Sequence, residues 1–303
     1  MNNPLISIII PTYNRPHLLQ LAVESALAQT IENFEVIVVD DASPEPVNLP
    51  EHPKLRIIRQ PDNKGGSAAR NVGAKAAKGD WITYLDDDDI LLPHMVEVSL
   101  EALANSTLPK PVAAISGLQV VSEDGRVQKT RIPPTLPKGS HYCLEEIEQG
   151  KSFHCKQTMV VEKDVLLSIG GFDESFSSRV HTELFLRLNQ VCSLQGISTV
   201  TYKLLRHQSY RVSSDTSRRQ LNFNRLISKH RTLFETHPKM FANFVYEHAI
   251  KSYDSGQTTE ALKSLIKAIK IHPIYTLMRM TSPMKNTLLG KLPKARQKLL
   301  NQN

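Results

Sequence analysis

The feature that most constrains this chain is a series of short, almost unbroken apolar runs separated by segments of helical periodicity. Residues 5–10 are apolar except for Ser7 and are closed by Pro11. Residues 15–30 carry Leu18, Leu19, Ala22, Val23, Ala26 and Leu27 at helical spacing. Two more apolar runs occupy 34–39 and 55–58, a small-residue helix fills 66–77, and a fourth strand fills 81–85. Strands apolar on both faces and separated by helices pack as a parallel sheet covered on both sides. The expected fold class is therefore α/β, a Rossmann-like mixed and mainly parallel sheet with helices on both faces. Ligands of such sheets sit beyond the carboxyl ends of the strands. Polar clusters follow Ile10, Val39 and Leu85, which are three such ends.

From about residue 110 the pattern changes. Segments 112–116 and 118–122 read as strands, followed by a turn at Glu123-Asp124-Gly125 and a Pro-rich loop over 132–139. A short strand at 159–161, a short helix at 163–169 and a tight turn at Gly170-Gly171-Phe172-Asp173 follow. Residues 183–189 read as helix and 200–205 as an alternating strand. Beyond about 215 the chain reads as all-helical, which divides it into an α/β domain at 1–214 and a helical extension at 215–303. Ala249, Gly256, Ala261, Leu265, Ala268 and Pro273 match one tetratricopeptide-like hairpin. A single repeat cannot bury its own apolar face, so the extension is expected to pack on the first domain or on a partner.

Four polar clusters carry the chemistry. Pro11-Thr12-Tyr13-Asn14-Arg15 follows strand one, where a helix N-terminus offers N–H groups, Arg15 adds charge and Tyr13 suits stacking on a base. Asp40-Asp41-Ala42-Ser43 follows strand two, where a carboxylate can accept from ribose or a base N–H. Asn63-Lys64-Gly65-Gly66 opens a helix that carries Arg70, a guanidinium suited to a phosphate or a base carbonyl. No Gly-Lys-Ser/Thr ends that loop, so it is not a P-loop. Asp86-Asp87-Asp88-Asp89 follows a buried strand directly. Four adjacent carboxylates repel one another, and the run makes sense if a cation neutralises it. All-oxygen ligation favours Mg²⁺ or Mn²⁺, with diphosphate oxygens completing the shell.

In this order, the four clusters resemble the family 2 glycosyltransferases of the GT-A fold, over about residues 4–210. The resemblance implies a nucleotide-sugar donor, usually a UDP-sugar, and transfer with inversion to a hydroxyl of a glycan or lipid-linked saccharide. Synthesis of bacterial surface polysaccharide or lipopolysaccharide is the expected setting. It also implies that Asp40 or Asp41 contacts the base and that Asp86 to Asp88 hold ribose and metal, with Asp88 and Asp86 as ligands. Pro11, Thr12, Tyr13, Arg15, Asn63, Gly65, Arg70 and Asp87 complete the expected nucleotide site. His207 occupies a place where the family often carries a His near the diphosphate and metal.

The sequence departs from the family at one position. An acidic pair, whose Asp is the general base, normally lies between the Gly170–Glu174 phrase and Glu183-Leu184-Phe185-Leu186-Arg187-Leu188. Alignment on Glu183 and Arg187 places Val180-His181 there. Three readings stay open: His181 is the base, Glu183 serves instead, or transfer is impaired. A non-catalytic sugar-nucleotide scaffold and a nucleotidyltransferase are the competing functions. The latter usually places a Gly-rich basic loop after strand one, where this chain has Tyr-Asn-Arg.

Charge, cysteines and hydropathy limit the surroundings. Residues 215–303 hold 16 Lys+Arg against 5 Asp+Glu, so the net charge of +7 belongs to the extension. Such a surface suits an anionic inner membrane face or an acidic protein; nucleic acid, which a basic patch also attracts, is not the expected partner. Cys143, Cys155 and Cys192 show no CxxC or disulfide framework. No apolar run reaches the roughly 20 residues of a membrane span, and residues 5–10 lack the flanks of a signal peptide. The expected address is cytoplasmic, with peripheral contact at the inner membrane face.

Overall fold

The computed structural model describes residues 4–206 and 215–281. It contains two compact units, Met1–Phe223 and Asn224–Asn303.

The first unit opens with β1 (Ile6–Thr12), α1 (Pro16–Leu27), β2 (Phe34–Asp40), β3 (Leu55–Arg59), α2 (Gly66–Ala76) and β4 (Trp81–Tyr84). Every residue of β1 and β2 is buried, as their unbroken apolar runs require. Pro16 starts α1, where a missing N–H costs nothing, and Leu19, Ala22, Val23 and Ala26 form its buried stripe. Then come β5 (Ile90–Leu91), α3 (Met95–Ala104), β6 (Val112–Val121), β7 (Val127–Arg131), β8 (Met159–Glu162), α4 (Lys163–Ser168), α5 (Val180–Val191) and β9 (Ser193–Leu205). The sheet order is β3-β2-β1-β4-β8-β6-β9-β5, with β7 paired to β6. β3, β2, β1 and β4 run parallel. β8 joins β4 and β6 antiparallel, while β9 runs parallel to β6. This is the expected α/β class.

The register aligns Thr12 with Asp40 and Ile9 with Tyr84. The carboxyl ends of β2, β1 and β4 therefore lie side by side, and the polar clusters that follow them meet.

Several boundaries differ from expectation. The two strands expected over 112–122 are one strand, bent at Gly117, where the pairing with β9 shifts register. A Cβ at Gly117 would stand 3.1 Å from the carbonyl oxygens of Ser198 and Thr199, so the bend depends on a missing side chain. β9 starts at Ser193, not near residue 200. α5 starts at Val180, not Glu183, which puts His181 in its first turn.

α6 (Thr216–Lys229) spans the boundary between the units. The second unit continues with α7 (Arg231–Glu235), α8 (Pro238–Asp254), α9 (Thr258–Ile271) and α10 (Pro273–Thr281). α8 and α9 pack as a hairpin about Gly256, and Ala249, Ala261 and Ala268 are buried. No helix among the described residues is long and apolar enough to cross a membrane.

Candidate active site

The acidic run begins two residues beyond β4, and each of its carboxylates has a different environment. Asp87 turns inward: its Oδ2 accepts from Thr12 Oγ1 at 2.7 Å and its Oδ1 from Arg15 Nη1 at 3.1 Å. The same Arg15 nitrogen reaches Asp88 Oδ2 at 3.2 Å. Asp86 pairs with the Arg70 guanidinium. Asp89 is buried and accepts from Tyr202 Oη at 2.8 Å and from the Leu205 N–H at 2.9 Å. Two guanidiniums thus counter part of the repulsion that the sequence left to a cation alone.

The remaining charge is visible in the proton affinities. Burial pushes the Asp87 carboxyl up to about 6, against the opposing pull of Thr12 and Arg15, and Asp88 and Asp86 push it further. Burial, then Asp86 and Asp88, push Asp89 well up. Asp86, Asp88 and Asp89 each offer an oxygen, and these atoms lie within 4.8 Å of one another. This compact, over-charged, all-oxygen set fits a hard divalent cation. Asp89, both of whose oxygens accept hydrogen bonds, stands beside the pair expected from sequence; His207 lies outside the described residues.

The strand-two carboxylates hold loops. Asp40 is buried and accepts from the Ser43 N–H at 2.9 Å, the Val47 N–H at 3.4 Å and Arg59 Nη1 at 2.5 Å. Asp41, also buried, accepts from Gln60 Nε2 at 2.6 Å and from the N–H groups of Lys64 at 2.9 Å and Gly65 at 2.7 Å. The Asn14 N–H donates to Ser43 Oγ at 2.9 Å, which ties the first loop to the second. Pro11 and Thr12 are buried, Arg15 is half-buried, and Tyr13 and Asn63 are exposed at the rim.

Arg70 links this cluster to the later half of the unit. Its guanidinium lies 5.5 Å from the Phe172 ring centroid. The edge of that ring meets Tyr84 at 5.2 Å and His181 at 5.4 Å between centroids. Phe172 is held by Asn71, whose Nδ2 donates to Phe172 O at 2.9 Å and to Glu174 Oε1 at 2.9 Å, while its Oδ1 accepts from the Phe172 N–H at 2.8 Å. Gly171, with φ +65°, makes the approach feasible, because a Cβ there would stand 2.5 Å from Asn71 Oδ1. The sequence reading missed Asn71, Phe172 and Tyr202 as site-building residues. Only their places in the helix opened by Gly65-Gly66 and in the Gly170-Gly171 turn hinted at the first two.

The two candidate bases separate clearly. Burial, and then the Arg70 charge, push His181 down to about 3, while Asp86 pulls the other way. The imidazole is neutral with a lone pair available, but weakly basic. Glu183 is fully buried, and Arg187 engages both of its oxygens, Nε to Oε1 at 2.8 Å and Nη2 to Oε2 at 2.6 Å. Arg187 also donates to the carbonyls of Ile169 and Gly171. This geometry weighs against the reading in which Glu183 serves as the base: its carboxylate holds Arg187, which in turn holds the Gly170-Gly171 turn.

Carboxylates and guanidiniums gathered beyond adjacent parallel strand ends define an α/β protein with a polar site at the carboxyl edge of its sheet. Residues 7–159 match the family described as glycosyl transferase family 2. An uncharacterised glycosyltransferase of Haemophilus influenzae is 30% identical over 71% of this chain and 74% of its own length. The chain belongs to glycosyl transferase family 2. Chondroitin synthase of Escherichia coli is 29% identical over 67% of this chain, which spans only 29% of that protein. The crystal structure of S. aureus TarS 1–349 in complex with UDP-GlcNAc superposes with a TM-score of 0.62 at 16% identity, covering 89% of this chain and 82% of that one, a likeness of fold.

Proposed function

We propose that this glycosyltransferase moves a sugar from a UDP-sugar to a hydroxyl of a glycan or lipid-linked saccharide, with inversion, in surface polysaccharide synthesis. The observation that carries the reading is the meeting of Asp86, Asp88, Arg15 and Arg70 beyond β1 and β4. Carboxylates that hold a cation and guanidiniums that meet phosphate oxygens suit a nucleoside diphosphate. Relatives support the setting, since chondroitin synthase is among them. The TarS complex with UDP-GlcNAc supports the donor class.

Asp86 and Asp88 would hold Mg²⁺ or Mn²⁺, with Asp89 bracing the set through Tyr202. When bound, such an ion neutralises charge that accumulates on a departing diphosphate. Arg15 and Arg70 exchange carboxylate partners for phosphate oxygens. Tyr13, 46% exposed at the rim, is placed to cover the base, and Asp40 and Asp41 fix the loops at residues 43–47 and 64–65 beside it. His181 takes the acceptor proton as the oxygen attacks the anomeric carbon from the face opposite the diphosphate. Burial is the main cause of the low His181 basicity and Arg70 adds to it; a bound diphosphate would offset only the Arg70 part. Depressed basicity places its contribution at the low end of the roughly 10²–10⁴-fold typical of base catalysis.

Val180-His181 in place of an acidic pair favours one second reading, a donor-binding protein without transfer. Incubation of the purified chain with a panel of UDP-sugars and Mn²⁺ tests both. Release of UDP, with sugar appearing on water or an added acceptor, supports transfer. UDP binding without release supports the second reading, and absence of both defeats the donor assignment.

A further inference from the structure

α9 and α10 are amphipathic in an unusual sense: both present an apolar stripe to solvent. On α9, Leu262 (58% exposed) and Ile266 (45%) stand one turn apart, while Ala261, Ser264 and Ala268 on the other side are buried. On α10, Ile274 (69%), Leu277 (52%) and Met278 (64%) fall at i, i+3 and i+4, the spacing of one helix face. Single exposed apolar side chains are ordinary, but five on two consecutive helices that pack on each other call for a partner.

The charge around the patch selects the partner's chemistry. From Ala261 to the last residue the sequence has nine Lys and Arg and no Asp or Glu. On α9 the sole acid, Glu260, is already paired with Lys263 at 2.7 Å. Protein interfaces are enriched in aromatic side chains, Met and Arg and depleted in Lys. Met278 apart, this face combines aliphatic Leu and Ile with Lys263 and Lys270, both exposed on α9. Aliphatic side chains that insert among acyl chains, rimmed by lysines that meet anionic headgroups, describe a helix lying in a membrane interface.

We propose that the α9–α10 face docks on an anionic lipid surface. Leu262, Ile266, Ile274, Leu277 and Met278 enter the headgroup–acyl boundary, and the lysines sit at headgroup level. The proposal goes beyond the transfer reading and does not depend on it.

The test is flotation of the full chain with vesicles of phosphatidylcholine alone and with added phosphatidylglycerol, at low and high salt. The expected result is binding that requires phosphatidylglycerol and weakens with salt. Ile274→Glu/Leu277→Glu, both exposed positions, should reduce bound protein about tenfold or more, with circular dichroism and UDP binding unchanged. Lys263→Gln/Lys270→Gln should weaken binding by a smaller factor. Equal binding to both vesicle types, or full binding by the Ile274→Glu/Leu277→Glu variant, overturns the proposal. So does loss of binding only on Lys294→Gln/Arg296→Gln/Lys298→Gln, which would assign the contact to the last residues. A wild-type dimer by sedimentation that the double Glu variant dissociates, with no lipid binding, would assign the face to a second copy.

Discussion

Removing the Asn71 side chain should loosen the first unit by a predictable amount. Asn71 is the sole side chain on α2 that satisfies both backbone groups of a residue about a hundred positions later in the chain, Phe172. Both residues are buried. Asn71→Ala leaves the Phe172 N–H and C=O without these partners, and each buried unsatisfied group costs about 1–3 kcal/mol. The Glu174 carboxylate is exposed and rehydrates at little cost. The expected loss is about 2–6 kcal/mol, a large share of the roughly 5–15 kcal/mol typical of a folded domain. Asn71→Asp keeps the bond from the Phe172 N–H but turns an oxygen toward Phe172 O and the Glu174 carboxylate, so its loss should be at least as large. Urea unfolding followed by fluorescence of Trp81, the chain's one tryptophan, reports on β4 and therefore on this unit. A loss below about 1 kcal/mol for Asn71→Ala would refute the reasoning. It would mean that water or a moved loop replaces the amide.

Four further expectations rest on single groups. Burial raises the Glu35 carboxyl, but the Lys78 N–H, the Ser7 hydroxyl and Arg56 outweigh it, and the net shift is below the ordinary 4.5. A depressed carboxyl adds stability above its unfolded value and loses it as pH falls through the folded one. The stability advantage of wild type over Glu35→Gln should therefore shrink in urea melts below about pH 4.5, and an advantage that holds to lower pH would contradict the assignment. Tyr202→Phe removes a 2.8 Å donor from buried Asp89 and should cost about 1–3 kcal/mol in the same melts. His181→Ala should lower turnover by about 10²-fold with UDP affinity unchanged, measured by UDP release. Glu183→Gln breaks its charge pairing with Arg187, so it should lower stability by about 3–5 kcal/mol, as removal of one partner of a buried pair does.

Legibility from sequence followed the range of the interactions. β1, β2 and β4 were readable because burial on both faces leaves an unbroken apolar run, and the clusters after them were readable because parallel strand ends gather ligands. β5 has two residues, too few for any period, and α3 was passed over beside the acidic run. The early start of α5 was missed because Arg179, at its N-cap, adopts φ +60° without a capping side chain. The long-range bonds of Asn71 and Tyr202 depend on which strands and turns become neighbours, which no local pattern encodes. Glu183 and Arg187 stand at i, i+4, a spacing the sequence shows without showing that the ion pair engages both carboxylate oxygens.

The central claim is that Asp86 and Asp88 make nucleotide binding depend on a divalent cation. Calorimetric titration of UDP into the full chain with Mn²⁺, with a chelator, and with Mn²⁺ on Asp88→Ala tests it most directly. Binding is expected in the first case and its loss in the other two. Equal UDP affinity in all three would contradict it.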